Sequence, residues 1–143
     1  MDLDKEIEKT SGKTIPEIFD AQGEPDFRDL ETEVTRVALD GPPAVIATGA
    51  GWIASARNRA LLHSRGRIIY LRVTVETAAL RLGEGHGRPK LAGGATIEML
   101  RRLEAERAVF YELAEAALNT EGLTLQQVTD KLAGLIQVLN KEK

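Results

Sequence analysis

The chain has 143 residues, 19 basic and 22 acidic side chains for a formal net charge of −3, only 4% aromatic residues and no cysteine. That length buries one aliphatic core without staples. The missing thiols remove disulfides and thiolate metal sites, His63 and His86 lie too far apart in sequence to suggest zinc, and the interleaved charges give no basic footprint for nucleic acid or an anionic membrane. No apolar run approaches spanning length and the acidic start is wrong for a signal peptide. The expectation is a soluble, cytoplasmic α/β domain over residues 1–143.

The chain opens on "MDLDKEIEKTS", charged and helical after its first residues. In a strand, side chains at i and i+2 share a face, so Asp2 and Asp4 at a strand end would point together at a cation or a hydroxyl. "PDFRDLETEVTRVAL" follows as a helix with Phe27, Leu30, Val34 and Val37 on one stripe, stopped at "DGPP". "AVIAT" (44–48) and "RIIYLRV" (67–73) are near-continuous β-branched runs, the pattern of strands covered on both faces of a parallel sheet. Between them "SARNRALLHSRG" reads as a helix opening on Ser55 and closing on Gly66, completing a βαβ unit.

"TVETAALRL" is a short helix capped by Thr74, and residues 95–118 form a long amphipathic stretch bent near Val109. "AALNT" (116–120) fits a short edge strand. The last segment spaces Leu125, Val128, Leu132, Leu135, Ile136 and Leu139 as one buried helix face. "GEGHGRPKLAGG" (83–94) matches neither period; it reads as a surface loop or as a lid carrying Arg88 between glycines.

Three stretches carry chemistry. "SGKT" (11–14) ends like a phosphate-binding loop, but G-x-x-x-x-G-K-[ST] requires glycine where Ile7 stands, and no strand feeds it. It is rejected. "IATGAGW" (46–52) follows a strand directly, at the sheet edge where open α/β folds bind ligands. Its glycines either bring backbone N–H groups to a ligand or serve a tight turn, and these residues alone do not choose. Arg28 and Arg107 each read alone as surface charges; with Arg88 they could surround an anion, because guanidinium binds carboxylate or phosphate bidentately.

Read in order, "DLDKEIEKTSGKTIPEIF…GEPDFRDLE", "VIATGAG", "GRPKL" and "ERAVFYELA" resemble the shikimate kinase family, collinearly and over essentially the whole chain. The resemblance implies a P-loop kinase-like fold: three αβα layers with a mainly parallel sheet of order 2-3-1-4-5. It implies ATP-dependent phosphorylation of the shikimate 3-hydroxyl with Mg2+, and a monomer whose partner is shikimate. Asp2 matches the aspartate that reaches magnesium through water, and Asp4 the one that accepts hydrogen bonds from shikimate hydroxyls. Arg28 and Arg107 match the carboxylate-binding pair, and Gly49, Ala50 and Gly51 match a Gly-Gly-Gly turn that touches substrate. Arg88 matches the lid arginine that reaches the transferring phosphoryl group.

Three departures accompany the match: Ala50 for the middle glycine, Lys90 for a leucine, and "AVFY" where the family has a proline and leucine before the tyrosine. A fourth is larger. The family's first strand, Walker A loop and most of its first helix have no counterpart in residues 1–143, so the chain is expected to lack the central strand and the nucleotide cradle. Three outcomes follow from that expectation: a kinase inactive as this isolated chain, a non-catalytic module for a shikimate-like ligand, or a truncated remnant.

Overall fold

The structure is a computed structural model that describes residues 1–82 and 96–141. The predicted lid at 83–94, with Arg88, lies outside the described residues.

Helix α1 (Leu3–Ser11) starts at Asp2, whose side chain accepts from Lys5 N–H, and ends at Gly12 in the left-handed conformation (φ 69°), whose N–H donates to Glu8 C=O. Thr14 then opens α2 (Ile15–Asp40) with a full capping box. The Thr14 side chain accepts from Glu17 N–H while the Glu17 carboxylate accepts from Thr14 N–H. "SGKT" is therefore a turn between two helices. Gly23 interrupts α2 at φ 84°, and Pro25 begins the second segment, where a missing N–H costs no helical bond. That second segment is the helix expected from the apolar stripe; the first, residues 15–22, was not.

Residues 44–48 do not form the predicted strand. The extended backbone at residues 1–3 runs parallel to it through one bridge, Asp2 to Ala47. Met1 N donates to Val45 C=O (2.8 Å), Ala47 N–H to Met1 C=O (2.8 Å) and Leu3 N–H to Ala47 C=O (2.9 Å). Leu3 already opens α1, so the pairing is a single bridge. The same fact corrects the shared-face geometry of the two aspartates: Asp2 is extended, whereas Asp4 already lies in the helix.

After a single 3-10 turn, Trp52–Ala54, helix α3 (Ala56–Leu62) is capped by Ser55. It ends four residues before the predicted Gly66, because the chain turns out through Ser64 at φ 61° and Arg65 reaches back to Leu39 C=O and Asp40. Strand β1 (Ile69–Arg72) pairs in parallel with β2 (Ala116–Asn119). Between them α4 (Val75–Leu82) opens at Thr74, and α5 (Ile97–Tyr111) is capped by Thr96. The predicted bend near Val109 is instead the end of α5, with tightened turns at Leu113 and Ala114 leading into β2. Helix α6 (Leu125–Lys141) follows a Thr124–Gln127 capping box. Its predicted buried face is only half-covered: Leu139 is 8% exposed but Leu125 is 83% exposed.

The core sits where α1 and α2 meet the turn after residue 48. Leu3 and Ile7 of α1 pack with Ile15, Ile18, Phe27 and Val34 of α2 and with Trp52 and Ile53. The fold class expected from the sequence holds: α/β, rich in helix, with parallel strand pairing. Among the described residues no helix is long and apolar enough to cross a membrane.

Candidate functional site

The turn that follows residue 48 is shaped by short backbone bonds. Trp52 N–H donates to Gly49 C=O (3.0 Å) and Ala54 N–H to Gly51 C=O (3.2 Å). Trp52 points inward, 5% exposed, and its indole N–H donates to Thr35 Oγ1 (2.9 Å). This anchor holds the turn against α2. Ala50 is accommodated because its φ is not positive; Ser64 is the non-glycine residue with positive φ among those described. On the α5 side Tyr111 Oη donates to Ala50 C=O (3.3 Å) and stacks on Tyr70. Arg59 donates to Ile53 C=O (2.7 Å) and lies over the Phe110 ring.

Gly51 is where the candidate residues meet. A Cβ added there would lie 2.8 Å from Arg28 Nη2, 3.3 Å from Arg28 Nη1 and 3.4 Å from Arg107 Nη2. With hydrogen there, both guanidinium groups can stand where they do, so the close-approach reading of this glycine applies. Arg28 comes from the second segment of α2 and Arg107 from α5, 79 residues apart in the chain.

The two arginines are mounted differently. Arg28 donates through Nη1 to Glu31 Oε2 (2.9 Å) and through Nη2 to Glu24 Oε1 (3.2 Å), and lies over the Phe27 ring. Arg107 has no hydrogen bond or ion pair with another described residue. Two guanidinium groups thus meet at a glycine turn, Arg28 offset by Glu24 and Glu31 and Arg107 with no such partner among the described residues. Such an arrangement can hold an anion.

Glu31 is 1% exposed. Burial pushes its carboxyl up from the ordinary value. The Arg28 charge and hydrogen bond and the Asn58 amide oppose that rise, and Asp4 adds to it. Asp4, in the first turn of α1, therefore lies close enough to act on the Glu31 carboxyl. Asp2 is exposed and caps α1. The structure thus brings Arg28 and Arg107 to Gly51, in the turn that also carries Gly49 and Ala50, and sets Asp4 near Glu31. It sets Asp2 on the bridge beside Ala47 and leaves Arg88 undescribed.

The helix start at Thr14, where the sequence ends like a phosphate-binding loop, does not fit a phosphate. The N–H and hydroxyl of Thr14 both go to the Glu17 carboxylate, and Lys13 shares its shallow depression with Glu17 and Asp20. An acid already occupies the helix end a phosphate would need. Among the described residues no group of three or more His, Cys, Asp or Glu could hold a metal ion.

The sequence reading missed Glu31, Asn58, Thr35 and Tyr111 as parts of this site. The Arg28–Glu31 spacing of i,i+3 was the available signal, since such pairs meet on a helix. Its burial was not visible in a helix full of acids.

A turn built at the end of an extended segment, faced by arginines from two helices, defines the class: an α/β protein with a site for a small anion. Comparison with known proteins narrows it. The family model "Shikimate kinase" matches residues 1–137. The shikimate kinase of Rhodococcus erythropolis is 36% identical over 138 residues, covering 96% of this chain and 81% of that protein. That of Geobacter metallireducens is 38% identical over 136 residues, covering 95% and 76%. The solved structure of shikimate kinase from Acinetobacter baumannii in complex with shikimate superposes with a TM-score of 0.89 at 36% identity, covering 99% of this chain and 79% of that one. The shikimate kinase from Bacteroides thetaiotaomicron matches at 0.82. The chain belongs to the shikimate kinase family and shares its fold.

Proposed function

We propose that this chain binds shikimate at the Gly51 turn, in the reaction that phosphorylates the 3-hydroxyl of shikimate at the expense of ATP. The observation that carries the reading is the approach of both the Arg28 and Arg107 guanidinium groups to the α-carbon of Gly51. The solved relative that superposes on nearly the whole chain is a complex with shikimate, and a carboxylate is the planar anion two guanidinium groups suit. In this reading Arg28 and Arg107 hold the carboxylate and Asp4 accepts from the ring hydroxyls. The backbone of Gly49, Ala50 and Gly51 lies along the ligand. Asp2 takes the water-mediated magnesium role and Arg88 the phosphoryl role that the resemblance implies.

Residues 1–143 supply the acceptor side of that reaction. They contain no G-x-x-x-x-G-K-[ST], and the one partial match is closed by Glu17. We therefore expect shikimate uptake without ATP turnover from these residues alone, which is also what a non-catalytic binding module would show. Calorimetric titration of the purified chain with shikimate tests the site. Heat is expected from the wild type, with affinity lowered about 100-fold by Arg107→Ala, the loss of one charge-assisted pair at ~1.5–3 kcal/mol. A flat wild-type titration would remove the reading. A coupled ATPase assay at saturating shikimate tests the second half: steady turnover by residues 1–143 would show that a phosphate cradle forms after all.

A further inference from the structure

Asn58 is 0% exposed, on the first turn of α3, and touches no part of the turn that faces outward. Its amide is nevertheless committed at both ends. Nδ2 donates to Glu31 Oε2 (3.4 Å) and to Trp52 C=O (3.2 Å), while Oδ1 faces the Thr32 hydroxyl at 2.8 Å. The orientation is forced. Turned over, the amide would set its oxygen against a carboxylate and a carbonyl, both acceptors only. The Glu31 oxygen that Asn58 contacts is the one that receives Arg28 Nη1. One buried amide thus joins α3, the carbonyl of the residue after Gly51, and the carboxylate that aims Arg28.

We infer that Asn58 is a positioning residue for the anion site: through Glu31 it fixes the Arg28 guanidinium, and through Trp52 it fixes the glycine turn that the guanidinium faces. The inference rests on the shikimate reading above. The physical need is clear from the surroundings of Glu31. A buried carboxylate with one arginine retains unfilled lone pairs, and its charge is held against Asp4 on α1, with Arg28 on its own helix as its cation. A second donor keeps the carboxylate in place when Arg28 shares its hydrogen bonds with a ligand. Thr35, whose hydroxyl donates to Glu31 C=O (2.7 Å) and accepts from Trp52, ties the same residues from α2.

The test uses the whole chain and two probes, shikimate and its carboxamide, which keeps the ring hydroxyls and lacks the carboxylate. Asn58→Asp keeps the shape but turns the donor into a second acid facing Glu31. Shikimate affinity is expected to fall about tenfold or more, the worth of one buried hydrogen bond at ~1–3 kcal/mol, with little change for the carboxamide. Adding Glu31→Gln to Asn58→Asp restores a donor–acceptor pair with reversed polarity, and is expected to regain part of the lost shikimate affinity. Asn58→Ser deletes the amide without adding charge and gives the same readout should the aspartate variant not fold. A residue with only a structural role would lower the melting temperature and weaken both probes alike or neither. Folded Asn58→Asp and Asn58→Ser with wild-type shikimate affinity would overturn the role of Asn58 alone. A wild type that takes up no shikimate would remove the shikimate reading and this inference with it.

Discussion

The two parts of the chain carry their apolar residues in opposite ways. From α1 to α3, Leu3, Ile7, Ile18, Phe27 and Trp52 are buried against one another, and the polar groups inside are paired. From β1 to α6, Leu139 is the buried apolar residue among those described, while Leu80, Val109 and Leu125 are each more than two-thirds exposed. The site draws on both. Arg28, Glu31 and Asn58 sit in the well-buried part, whereas Arg107 rides on α5, which meets the turn through Phe110 and Tyr111. The contrast teaches that the proposed anion site has one fixed cation, locked by its acids, and one reaching cation. The second is free to spend its charge on a ligand.

That comparison predicts unequal costs of mutation. Ile18→Ala, in the buried part, is expected to lower the unfolding free energy by about 2–5 kcal/mol. Leu125→Ala, on the exposed face of α6, should stay within about 0.5 kcal/mol. Urea melts of both variants check this, and equal losses would break the division. Gly51→Ala comes next: its methyl would strike Arg28 Nη2 at 2.8 Å, and shikimate affinity should fall about tenfold with little change in melting temperature, since the flexible end of the arginine moves aside from the turn. A stability loss without an affinity loss would place the arginine elsewhere.

The smallest effect concerns pH. Burial first of all raises the Glu31 carboxyl above its ordinary value of 4.5, so folding favours its protonated form. The stability gained is full below that ordinary value and is lost as pH rises through the raised one. Glu31→Gln has no such loss. The melting temperature of the glutamine variant should therefore gain on that of the wild type as pH rises through this window, by a few degrees. A gap independent of pH would overturn the assignment.

Much of the helical framework was legible because its signals are local. Ser55, Thr74 and Gly41 mark ends that the structure keeps within a residue. The capping box at Thr14 was equally legible and went unread, which is why residues 15–22 were missed. Strand 44–48 misled because a β-branched run reports suitability for a sheet, while a ladder depends on how much partner lies beside it. The site shows the same limit. Spacing carried no link between Arg28 and Arg107; the resemblance to a family suggested it, and the folded position of Gly51 gives it a geometry. Glu31 and Asn58 stayed hidden because burial of a polar side chain is a property of packing, and their spacing of 27 residues says nothing about it.

Trp52 is the sole tryptophan in the chain. Its indole is enclosed, donates to Thr35, and belongs to the residue directly after Gly51. Indole fluorescence will therefore come from one place only, next to the residue where the guanidinium groups converge. Shikimate binding at the proposed site is expected to be readable from the intrinsic fluorescence, with no label attached.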